Sequence, residues 1–109
     1  MDKQYVVIFC TCPDLGTAER IAKAIVEEKL AACVNILPSI TSVYRWQDQI
    51  QQDEELLLVI KTRRDAYLAL EGRLQQLHPY EVAEIIALPL VAGSSNYLAW
   101  LDTNVGGIS

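Results

Sequence analysis

At 109 residues the chain has the length of one domain, 1–109, yet 51% of it is hydrophobic and its mean hydropathy is +0.17. A net charge of −5, with no lysine- or arginine-rich stretch, argues against nucleic-acid binding driven by phosphate neutralisation. No apolar run approaches the ~18 residues of a membrane-spanning helix, so no membrane partner is expected.

The opening MDKQYVVIFC holds one lysine, an early aspartate and a proline soon after a short apolar core. It reads as a first strand, Tyr5–Cys12, rather than an export signal. Three cysteines in an unexported chain predict reduced thiols and a cytoplasmic location. In GTAERIAKAIVEEKLAA the residues Ala18, Ile21, Ala22, Ile25, Val26 and Leu30 recur at helical spacing, with Asp14 or Thr17 as N-cap. Cys33–Trp46 follows as a long strand; Pro38 inside it makes it an edge strand or places a bulge at Pro38-Ser39. QDQIQQDE is a polar hairpin tip, with the acidic run Asp53–Glu55 as its solvated base, and Glu55–Thr62 returns as the third strand. Arg63–Leu77 is a second helix, with Tyr67, Leu70, Leu74 and Leu77 at helical spacing. Val82–Leu90 is a short fourth strand, Ser94–Asn104 a terminal helix capped by Ser94 or Ser95, and GGIS a loose tail.

This order predicts an α+β fold, the ferredoxin-like βαββαβ sandwich with an extra C-terminal helix, in which the first and third strands pair centrally. YVVIF and LLLVI are unbroken apolar runs, which implies that both faces of the central strands are buried. Two helices cover only one face. The terminal helix or other copies of the chain must meet the second, and a homo-oligomer is expected.

Candidate chemistry is sparse. Cys10 and Cys12 share one face of the first strand, either as small core residues or as soft-metal ligands. Cys33 reads as structural. His78, the only histidine, is either a helix-end residue held by Pro79 or a ligand. Glu81 and Glu84 fall on opposite faces of a strand, so paired-carboxylate acid-base chemistry is not expected. Lys61 would meet Glu84, a bound anion or solvent. Tyr44, Trp46, Tyr80, Tyr97 and Trp100 read as packing anchors, with Tyr44, Trp46 and Trp100 as candidate oligomer contacts. There is no Gly-rich phosphate loop, no G-x-S-x-G and no H-E-x-x-H, so the chain is not expected to be an enzyme.

CTCPD, KLAACVNILPSITSVYRW, LLLVIKT, HPYEVAEIIALP and YLAWL, spread from Tyr5 to about Leu101, together resemble the CutA divalent-cation tolerance family. The resemblance implies a homotrimer of ferredoxin-like subunits, packed through their sheets and a long second–third strand hairpin and similar in architecture to PII-type proteins. Some bacterial members bind copper, through a cysteine ending the first strand and a His-His pair before Pro-Tyr. Here the cysteine matches Cys10 and the second histidine matches His78, while the first is Leu77; the usual Pro-Gly is Pro38-Ser39. The reading that follows is modest-affinity binding of Cu(II) or a similar divalent cation by Cys10 and His78, with Glu84 or an adjacent subunit adding a donor, and no obligatory cofactor. The alternatives are a trimeric scaffold for a protein partner, as some eukaryotic relatives are linked to anchoring a membrane enzyme, or a PII-like sensor. In a sensor Lys61, Tyr80 and Glu84 would line intersubunit clefts.

Overall fold

The computed structural model describes residues 4–106. Its elements are β1 (Tyr5–Cys12), α1 (Leu15–Glu27), β2 (Cys33–Trp46), β3 (Gln49–Arg63), a 3₁₀ turn (Arg64–Ala66), α2 (Tyr67–Leu77), β4 (Ile86–Pro89) and α3 (Ser95–Asn104). The strands form one antiparallel sheet in the order β2-β3-β1-β4. β1 and β3 therefore sit in the centre, paired from Tyr5↔Arg63 to Cys12↔Leu56.

Period-two alternation sorts the central strands into faces. Val6, Ile8, Cys10 and Cys12 of β1, with Leu58 and Ile60 of β3, point to one side and are buried there. α1 closes that side through Ala18, Ile21 and Ile25, and α2 through Leu70 and Leu74. The opposite side carries half-buried Val7, Phe9, Leu57 and Val59 and exposed Ile86 and Leu88. α3 meets only one end of the sheet: Leu101 and Val105 pack with Ala32, Ala66 and Tyr5. Polar contacts hold it there, with the Tyr5 hydroxyl donating to Asp102 Oδ2 at 2.8 Å and Arg63 Nη1 donating to the Asp102 carbonyl at 3.3 Å.

Three boundaries differ from the sequence expectation. α1 stops at Glu27 rather than running to Ala32, because Lys29 adopts left-handed backbone at φ 61°. Leu30 N–H then bonds the Ile25 carbonyl and Lys29 N–H the Val26 carbonyl, a Schellman closure that usually uses glycine, so no residue type announced it. β3 begins at Gln49, inside the segment expected to be a polar tip. Gln47 and Asp48 are both left-handed, at φ 51° and 64°, and make a tight two-residue turn that pairs Trp46 with Gln49. Both faces of this arm are wet, so its polar residues hide the strand. β4 shrinks to Ile86–Pro89, leaving His78 to Ile85 irregular apart from bends, so strand parity does not apply to Glu81 and Glu84.

The proline reading holds in both forms: β2 is an edge strand, and its register shifts between Leu37 and Ile40 around Ser39 at φ 62°. The long β2–β3 hairpin stretches the molecule to 46 × 25 × 22 Å. Its radius of gyration is 14.5 Å, against roughly 13 Å for a compact chain of this length. Of the GGIS tail, Gly106 N–H donates to the Lys29 carbonyl at 3.1 Å, and Gly107–Ser109 lie outside the described residues.

Asp14, rather than Thr17, is the N-cap of α1 and accepts from Thr17 N–H at 2.8 Å, which holds its carboxyl below the usual carboxylate range. A depressed folded pKa adds stability above the unfolded value and loses it as pH falls through the folded one. Asp14→Ala is therefore expected to lower the urea midpoint at neutral pH. The gap from the parent protein should begin to narrow as pH drops below about 4, where the unfolded chain takes up its proton first. It should close as pH falls through the lower folded pKa. A gap that stays constant from pH 7 to pH 3 would rule out the charged cap.

Candidate metal centre

β1 ends against the C-terminus of α2, and that junction gathers the soft donors. Pro79 disfavours helical backbone at the residue before it, and His78 accordingly turns out to φ −82°, ψ 138°. Its N–H still closes the last helical turn onto the Leu74 carbonyl at 2.9 Å, while Arg20 Nη2 donates to the Leu77 carbonyl at 3.2 Å. The imidazole folds back toward β1 and is 7% exposed, so it is not the partly solvated helix-end residue of the simplest sequence reading.

Its hydrogen bonds define a tautomer. Tyr80 N–H, which can only donate, lies 3.1 Å from Nδ1, so Nδ1 carries a lone pair. Nε2 therefore bears the proton and donates to the Thr11 carbonyl at 2.7 Å. The ring also packs on Tyr80, with centroids 4.7 Å apart. Thr11 lies between the two cysteines of the first strand, and both of these are fully buried at 0% exposure. One donor atom each from Cys10, Cys12 and His78 lies within 4.8 Å of the other two. All three thiols of the chain are free. A hydrogen bond with Cys12, reinforced by burial, pushes the Cys10 thiol far up, so it stays protonated unless an ion displaces the proton.

Beside this cluster lies a groove of about 770 Å³, lined by Thr11, Tyr44, Trp46, Glu55, Tyr80 and Glu84 among others. Glu84 stands exposed in its wall, outside the three-donor cluster. Glu55, expected to be a solvated hairpin base with Asp53 and Glu54, is instead 7% exposed and accepts from the Tyr80 hydroxyl at 2.8 Å. Burial, with that hydrogen bond second, raises the Tyr80 hydroxyl well above the ordinary tyrosine range and keeps it a donor.

Other candidates lie apart. Lys61 bonds Asn35 Oδ1 and approaches Cys33 Sγ at 3.9 Å on β2, rather than meeting Glu84. It is six residues along β3 from Glu55, roughly 20 Å at strand rise, so within one chain it does not share a cleft with Tyr80. Tyr44 and Trp46 are 42% and 38% exposed on the hairpin arm, and Trp100 is 45% exposed on α3, stacked obliquely on Tyr97. Tyr44 also donates to Asp53 across the arm. Cys12 joins this cluster beside Cys10, although the family resemblance matched Cys10 alone. Its signal was present in the C-x-C spacing, which places both thiols on one face.

The chain matches the family model for the CutA1 divalent ion tolerance protein over residues 6–104. It belongs to the CutA1 family. It is 52% identical to the divalent-cation tolerance protein CutA of Thermus thermophilus over 92% of this chain and 97% of that one. It is 50% identical to mouse protein CutA over 93% of this chain, which spans only 57% of the mouse protein. Solved structures agree with the fold. The Thermus thermophilus Cut A1 structure has a TM-score of 0.91 at 51% identity, covering 94% of this chain and 99% of that one. CutA1 from Oryza sativa has a TM-score of 0.93 at 43% identity, covering 95% of each chain. The CutA1 fold thus places the soft donors of this chain at the end of its first strand.

Proposed function

We propose that this CutA1-family chain is a cytoplasmic, non-enzymatic homotrimer that binds copper, or a similar divalent cation, with modest affinity through Cys10 and His78. The observation that carries the reading is the meeting of buried thiol and imidazole donors within 4.8 Å. Thiolate with imidazole suits copper or zinc better than magnesium or calcium, which prefer oxygen. Bound there, the ion would act as cargo, and tolerance would follow from its sequestration.

Modest affinity follows from what binding must displace. The Cys10 thiol has to lose a proton that its hydrogen bond with Cys12 and its burial favour, and His78 has to release at least one of its two backbone hydrogen bonds. Glu84, exposed in the groove wall, would draw cations in. Free thiols fit a reducing compartment.

The strand order β2-β3-β1-β4 supports a ferredoxin-like subunit. The trimer is supported by the apolar second face of the sheet and by the exposed hairpin arm, where Val43 is 64% and Ile50 63% exposed. Lys61 and Tyr80 would come near each other only across subunits.

Titration calorimetry with copper tests the site, at a subunit stoichiometry checked against the mass from light scattering. The parent trimer should bind one ion per chain, and Cys10→Ala and His78→Ala should each weaken binding at least tenfold. Unchanged binding in both variants removes the site, and a single-chain mass removes the trimer. The scaffold reading has its own support: the two backbone bonds of His78 give it a structural task with no metal at all.

A further inference from the structure

We propose that Cys12 is a third ligand at this centre, so that two thiolates and one imidazole select the soft monovalent copper ion. The inference rests on the metal role of Cys10 and His78 and adds a residue and a preference to it.

Cys12 satisfies the geometry on its own account. Two positions along β1 its backbone is roughly 6.6 Å from that of Cys10. The donor atoms nevertheless close to within 4.8 Å of one another and of an imidazole nitrogen. With metal–sulfur bonds of about 2.3 Å, donors on one ion stand roughly 4 Å apart in a trigonal set and about 4.6 Å apart in a linear pair. Side-chain rotation of less than about 1 Å therefore brings the three onto one ion. Leu77, next to His78, offers no donor, and Cys33 lies beside Lys61, away from the cluster. The third donor of the junction is Cys12.

The surroundings favour a soft ion of low coordination number. Cys10 and Cys12 belong to the same apolar core cluster as Ala18, Ile21, Leu58 and Leu74. Structural zinc takes four ligands, and among the described residues the cluster contains three. Thiolates select Cu(I), and a dry three-donor set matches its low coordination. The ring is already oriented, because its Nε2–H is held by the carbonyl of Thr11, the residue between the two thiols. Ligation through Nδ1 gives up the Tyr80 N–H bond alone, whereas ligation through Nε2 moves its proton to Nδ1 and loses both backbone bonds. Binding exchanges two thiol protons, released to solvent, for one ion. Copper that arrives as Cu(I) changes no oxidation state.

The test is an anaerobic Cu(I) titration against a chromogenic competing chelator, with the ultraviolet thiolate-to-copper absorption recorded alongside. Cys12→Ser is expected to weaken Cu(I) at least tenfold and to reduce that absorption to about half, while circular dichroism and oligomer mass stay as in the parent. Cys12→Ala repeats the measurement without a buried hydroxyl, should the serine disturb the core. If both Cys12 variants keep full affinity and absorption while Cys10→Ser loses them, the third ligand is overturned and the Cys10–His78 reading stands. If Cys10→Ser and both Cys12 variants all bind as the parent does, both are overturned.

Discussion

Leu58→Ala is expected to destabilise the folded chain by about 2–5 kcal/mol, read as a lower urea midpoint at fixed chain concentration. Leu58 is fully buried in β3, paired with Cys10 of β1 on one side and Ile36 of β2 on the other. Truncation therefore opens a cavity where two strand pairings meet and both helices pack. The neighbours are held by ladders on both sides and cannot collapse into the gap. Leu68→Ala on α2 is the control: its side chain is 80% exposed, and the change should stay within roughly 0.5 kcal/mol. Equal effects from the two substitutions would mean that the helix-covered face is not the core. Concentration is held constant because dissociation of an oligomer adds to the apparent stability.

His78→Ala should cost nearly as much without any metal in the experiment. Removing the ring leaves the Thr11 carbonyl with only the long contact from Cys10 Sγ at 3.9 Å and strips Tyr80 N–H of its acceptor. A buried polar group left alone costs about 1–3 kcal/mol, giving at most roughly 2–6 kcal/mol for the pair before any cavity term, with the part-buried Tyr80 N–H at the low end of its share. The measurement is the unfolding free energy in excess chelator. A variant as stable as the parent under those conditions would sink the structural role, and a loss seen only in metal-loaded protein would assign the effect to the ion. His78→Gln is expected to recover part of the loss, since its amide can still donate toward Thr11.

Much of this architecture was legible because it is periodic. The helical spacing of Ala18, Ile21 and Ile25, and the apolar runs of β1 and β3, are repeated signals that burial imposes on a chain. Pro38 and Pro79 spoke through their missing N–H and the restriction they place on the preceding residue. Lys29, Gln47 and Asp48 gave no such signal. Lys29 and Gln47 adopt left-handed backbone with no preference for it, and Asp48, which tolerates that region, lacks the glycine that usually marks such a turn. Glu55 misled because its charge argued for solvent, whereas the Tyr80 hydroxyl, arriving from a loop 25 residues away, supplies the partner that allows burial.

The sequence by itself determined the element order, the central pairing of β1 with β3, the face shared by Cys10 and Cys12, and the family likeness, because spacing and residue type act within a few residues. Only the tertiary structure decided that His78 returns to the end of β1, that Cys12 joins Cys10 beside it, and that Glu84 and Lys61 stand elsewhere. Those outcomes depend on contacts across as many as 67 residues of chain, here the bond from His78 to Thr11. They are set by how two helices dock on a sheet, which no local pattern encodes.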